Sequence, residues 1–146
     1  MTTHQNGLIY SPALSPFERM RFVENLHDNY TKYEKAELKE ILFKIVRLDN
    51  NVVVQHEAVF LFGMLHDHLI AFEDEIAKEL IAIGQGTSSI VLYHEIVETL
   101  GFFANDLALE FVNKSFESAD MDILDTAKIS SGRQEYIRAK QKVRVQ

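Results

Sequence analysis

The chain has 146 residues, a formal charge of −7, 47% hydrophobic and 25% charged residues. That size suits one domain with a real core, and that mix excludes a disordered chain. Cysteine is absent, which excludes disulfides, thiolate metal sites, iron–sulfur clusters and cysteine nucleophiles, and the 6 glycines and 2 prolines are too few for a loop-rich all-β fold.

Residues 1–15, MTTHQNGLIYSPALS, read as an irregular N-terminal arm without the basic and apolar regions of a signal peptide. Ser15-Pro16 with Glu18 is a helix-start pattern, and a helix follows to about Leu26. Glu34 to Leu48 carries Leu38, Ile41, Leu42 and Ile45 as one apolar stripe at helical spacing. Asp49-Asn50-Asn51 breaks and caps, and helices follow over Val52–Leu65 and Phe72–Ile83. Gly84 to Ser89 reads as a loop ending in a capping serine. Helices over Ile90–Phe103, Asp106–Phe116 and Met121 to about Lys142 complete a repeat domain spanning 16–142, with 143–146 as a tail. No apolar run reaches the roughly 18 residues of a membrane span. A cytoplasmic protein with no membrane partner is the expectation.

Charge is unevenly placed. Residues 128–146 hold six basic side chains against the single acid Glu135, whereas residues 1–127 hold nine basic side chains against 21 acids. An acidic body repels phosphates, so nucleic acid is not an expected partner. The basic segment reads as the solvated face of a last helix.

Two segments superimpose without gaps: NVVVQHEAVFLFGML from Asn51 and SIVLYHEIVETLGFF from Ser89. They share His56/His94, Glu57/Glu95, Val59/Val97 and Gly63/Gly101, at an offset of 38 residues. A fainter third copy starts at Asp120, with Asp125-Thr126 in the His-Glu slot and Gly132 in the glycine slot. A period near 35–40 with two helices per unit points to an α-solenoid. The expected fold is all-α: an α-α superhelix, right-handed, of about four stacked helical hairpins.

The pattern V-x-x-H-E-x-x-x-x-x-G resembles HEAT-like repeats of the phycobilisome-lyase type. More narrowly, it resembles one half of the deoxyhypusine hydroxylase family, HEAT-repeat di-iron monooxygenases in which paired His-Glu dipeptides bind iron. The resemblance covers roughly residues 16–140. Carried over by motif, it makes His56, Glu57, His94 and Glu95 the metal ligands, and it implies iron, of di-iron type, with oxygen-dependent hydroxylase-like chemistry. That family carries four His-Glu motifs per chain, and this chain has two.

Helical geometry brings the same residues together. At about 100° per residue, Val54, Ala58, Leu61 and Leu65 form a core seam, and His56 and Gly63 lie together on the other side. Leu92, Ile96 and Phe103 repeat the seam, with His94 and Gly101 opposite. Two imidazoles on helices about 8–10 Å apart can reach one ion, and the carboxylates of Glu57 and Glu95 flank it. Histidine and carboxylate without thiolate suits iron, with manganese or zinc as alternatives. Gly63 and Gly101 leave room for a substrate or another helix.

Other residues carry weaker signals. His66-Asp67-His68 reads as a helix-end segment, His4 and His27 as solvated, Tyr93 as packing, and Asp125 as part of an acidic helix start. A homodimer is a further expectation, because a two-fold axis between the histidine faces gathers four His and four Glu, and the apolar surroundings of the histidines call for cover. The alternative function is a small adaptor whose solenoid surface binds a protein partner.

Overall fold

The structure is a computed structural model that describes residues 2–3 and 9–145. His4 and the rest of segment 4–8 of the expected arm lie outside the described residues. Within the arm, Thr2–Thr3 (β1) and Ile9–Tyr10 (β2) form a two-residue antiparallel pair. Everything beyond is helical: α1 (Pro16–Asp28), α2 (Lys35–Leu48), α3 (Val52–Met64), α4 (Glu73–Gly86), α5 (Ile90–Leu100), α6 (Asp106–Lys114) and α7 (Met121–Val145).

Most helix starts are written in a side chain, α2 and α4 being the exceptions. Ser15 accepts from the Glu18 backbone N–H and donates its hydroxyl to the Glu18 carboxylate, with Pro16 in the first turn. Asn51 caps α3, Ser89 caps α5 and Asn105 caps α6, each accepting from a first-turn N–H. Asp120 does the same for α7 through the Asp122 and Ile123 N–H groups. Such caps contribute about 1 kcal/mol apiece and fix where each helix begins.

The helices stack in two layers. One layer runs α1–α3–α5–α7, each packed on the next, and the other holds α2, α4 and α6. Across the second layer, Lys39 pairs with Glu75 at 2.9 Å and Arg47 with Glu79 at 2.7 Å. The core lies between the layers. Leu38, Leu42 and Phe43 of α2 meet Ala58 and Phe62 of α3, with the Phe43 and Phe62 rings 4.4 Å apart. The stripes Val54–Ala58–Leu61–Leu65 and Leu92–Ile96–Phe103 are buried, as their spacing requires.

A buried ion pair starts the stack. Arg19 of α1 donates to Asp49 at 2.8 Å, and both residues are buried. The Tyr10 hydroxyl donates to the same carboxylate at 2.7 Å, and the guanidinium also donates to the carbonyls of Pro12 and Leu14. The arm is thereby tied to α1 and to the α2–α3 turn.

Helix limits differ from expectation at the ends of α4, α5, α6 and α7. The loop expected from Gly84 begins at Thr87, because α4 continues through Gly86. Gly84 is buried, and its missing Cβ admits Phe111 of α6, so it serves close packing rather than a turn. Helix α5 stops at Leu100 instead of Phe103, and α6 stops at Lys114 with a 3-10 turn over Ser115–Glu117. The last helix runs on to Val145, into the segment expected as a tail.

Candidate metal centre

The His-Glu dipeptides sit on α3 and α5, neighbours within one layer. The register between them is the decisive feature. His56 does not face its counterpart His94 but Glu95, whose carboxylate lies 2.8 Å from His56 Nε2. His94 Nε2 in turn meets the Thr126 hydroxyl of α7 at 2.7 Å. Thr126 occupies the glutamate slot of the third copy. One contact therefore recurs at both junctions: the histidine of each helix bonds to the glutamate slot of the next.

A second contact recurs beside it. The Thr99 hydroxyl donates to the Val59 carbonyl at 3.3 Å, and the Ser130 hydroxyl donates to the Val97 carbonyl at 3.0 Å. Thr99 and Ser130 each lie one helical turn beyond the glutamate slot, and Val59 and Val97 are repeat equivalents. The glycines complete the junction. Gly63 lies against Phe102 and Thr99, and Gly101 against Ser130. The room foreseen beside the histidines is filled by the following helix.

Glu95 is the centre of the arrangement. It is 2% exposed. Burial, reinforced by the neighbouring carboxylates of Glu98 and Glu57, pushes its carboxyl up to about 8, against a smaller lowering by the Thr99 hydroxyl. Ligand atoms of His94, Glu95 and Glu98 all lie within 4.8 Å of one another. The His56–Glu95 distance of 2.8 Å also matches the edge between adjacent ligands of an ion with bonds of about 2.0–2.1 Å. The imidazole of His94 and the carboxylates of Glu95 and Glu98 thus form a group that could hold a cation, with the His56 imidazole against one of the carboxylates.

Of the four residues expected from the sequence, His56, His94 and Glu95 come together around this point. Glu57 lies at the rim, 3.9 Å from its own His56 Nδ1, and lines a small cleft against α1 with Glu24, His27 and Asp28. Glu98 joins the cluster and was not foreseen, although its position one turn beyond His94 on the same helix face was readable. Thr126 was seen only as the occupant of a repeat slot.

The remaining candidates have structural partners. His66 pairs with Glu73 and packs on Phe103, holding the turn between α3 and α4. His68 stacks edge-on with Tyr30, and burial lowers its pKa. Tyr93 packs on Phe111 and shares a hydrogen bond with Ser115. No helix among the described residues is long and apolar enough to cross a membrane. No family model, curated protein or solved structure matches the chain.

Proposed function

We propose that this chain is a metal-binding helical-repeat protein that holds one divalent transition ion on His56, His94, Glu95 and Glu98. The observation that carries the reading is the buried carboxylate of Glu95, placed within ligand distance of imidazoles from two repeats and crowded by further carboxylates. A cation there would offset the burial of negative charge. Thr126 would act as the outer partner of His94, fixing the ring so that Nδ1 faces the cluster. The donor set suits iron(II), with manganese and zinc as competitors, and when bound the ion would supply a Lewis acid with positions open to water or oxygen. Val53 and Val91, one turn before the histidines, are exposed and would form an apolar rim for a substrate.

The HEAT-like character of the repeats and the hydroxylase-like activity belong to this proposal, as does a homodimer that brings two histidine faces together into a di-metal site. Elemental analysis of tag-free protein, followed by anaerobic titration with iron(II), manganese(II) and zinc(II), tests the site and its sharing between chains. One equivalent per chain, lost in His56→Ala/His94→Ala, supports the site. Metal content unchanged in that double variant overturns it. Two ions per dimer, one per chain, bound only when the chain is dimeric, would support the shared centre.

A second reading rests on Thr126. Because threonine in the third copy makes the same contact as Glu95 in the second, the histidines also work as inter-repeat hydrogen-bonding groups without any ion. On that reading the protein is an adaptor, and metal analysis returns sub-stoichiometric amounts.

A further inference from the structure

The junctions of the odd-numbered layer follow one rule, and its third instance is open. At Gly63 a Cβ would lie 3.1 Å from the Phe102 ring, two residues past the end of α5, and 3.6 Å from Thr99 of α5. At Gly101 a Cβ would lie 2.9 Å from the Ser130 Cα of α7. Each glycine admits the helix that packs on its own. Gly132 holds the same slot on α7, and a Cβ there would meet nothing within 4 Å. No described element covers this face.

The face is apolar along its length. Ile129, Tyr136 and Val143 are 64%, 62% and 72% exposed. They recur every seven residues, with Gly132 and Ala139 interleaved three residues on, the a/d spacing of paired helices. At 100° per residue this stripe lies opposite Ile123, Ala127, Ser130 and Gln134, which are buried against the stack. Tyr136, Ala139, Lys140 and Val143 line an open groove at its end.

We propose that this face pairs with α7 of a second copy of the chain, antiparallel about a two-fold axis. Charge selects the occupant and its direction. The helix begins with Asp120, Asp122 and Asp125 and ends with Arg138, Lys140, Lys142 and Arg144. An antiparallel pair sets the acidic start of each helix beside the basic end of the other, at both ends at once. A parallel pair would stack like charge on like, and the antiparallel arrangement also opposes the two helix dipoles. Size fixes the register. Tyr136 stands over the partner's Gly132, and Ile129 over the partner's Ala139, so a large side chain meets a small one in every central layer. This pairing does not rest on the metal reading, and it differs from an association through the histidine faces.

The absence of cysteine makes the test direct. Single variants Gly132→Cys and Tyr136→Cys are purified, mixed, oxidised and resolved without reductant, beside light scattering of the unmodified chain. The expected mass is twice 16.8 kDa at about 50 μM, falling toward one chain in 1 M salt as the end charges are screened. The mixed cysteine variants should give at least five-fold more cross-linked dimer than either alone, since only Gly132 and Tyr136 face each other in this register. A single-chain mass at low salt overturns the proposal. So does Tyr136→Cys alone cross-linking as well as the mixture, which is the signature of a parallel pair. A dimer that survives Ile129→Asp with helical circular dichroism intact also overturns it, and would place the association on another face.

Discussion

Glu95 shows how one side chain can act on both stability and binding. Burial holds its carboxyl up at about 8, well above the ordinary 4.5 of a glutamate. Because the folded value is the higher one, the group does not destabilise the fold below about pH 4.5. It destabilises progressively as pH rises toward 8, and fully above. In metal-free protein, Glu95→Gln should therefore raise the stability at pH 8.5 by a few kcal/mol and change it little at pH 4.5. Chemical denaturation at the two pH values checks this, and an equal effect at both would contradict the burial of a charged Glu95. The same carboxyl is mostly protonated at pH 7, so an ion that binds it must displace the proton. Titration calorimetry in two buffers of different ionisation enthalpy should show close to one proton released per metal at pH 7. In Glu95→Gln that release should disappear.

His56, His94 and Glu95 were legible as site residues, because two His-Glu dipeptides recur in register 38 residues apart, whereas Glu98 lies outside the dipeptides. Their partners were not. Periodicity places a side chain on a face but does not say how far one helix slides against the next. Here the slide is enough for His56 to reach the glutamate slot of α5 rather than meet His94. Glu57 and Glu95 look equivalent in sequence, yet Glu95 is buried against the His56 imidazole of α3, while Glu57 opens onto the cleft with α1.

At the scale of the element, helix starts were the best-read features, since Ser15, Asn51 and Ser89 each cap where their spacing indicates. Glycines were the worst read. Gly84 resembles a helix stop in sequence, but its role is to let Phe111 approach. Glycine in a helix weakens it by about 1 kcal/mol relative to alanine, so a glycine kept there is explained by what packs on it. Gly101→Ala would drive a methyl into the α7 backbone at Ser130 and should destabilise the fold by about 1–3 kcal/mol. Gly86→Ala has open space and should be neutral or stabilising by up to about 1 kcal/mol. Thermal melts of the pair separate the two roles, and equal effects would deny the close approach of α5 and α7. Thr126→Val at the same junction removes the hydrogen bond to His94, which should lower stability by about 1 kcal/mol. If the ion binds as proposed, the same change weakens its affinity about 10–100-fold.

Across the whole molecule, two layers with contacts chiefly between neighbours imply that damage stays local. Stability in such a stack is close to a sum of unit and nearest-neighbour terms. The pair Arg19–Asp49 lies at one end, where one carboxylate holds α1, the arm through Tyr10 and, by accepting from the Asn51 N–H, the start of α3. Asp49→Ala leaves a buried guanidinium without its anion, which should remove about 3–5 kcal/mol. The fold read from the sequence, helices repeating at a fixed period, predicts where that loss appears. Amide exchange should accelerate across α1, the last turn of α2 and the first turn of α3. Helices α6 and α7, separated from the lesion by α5, should keep their protection under conditions where the variant remains folded. Uniform acceleration along the chain would mean that this short stack unfolds as one unit, and that its junctions are coupled more tightly than the nearest-neighbour picture allows.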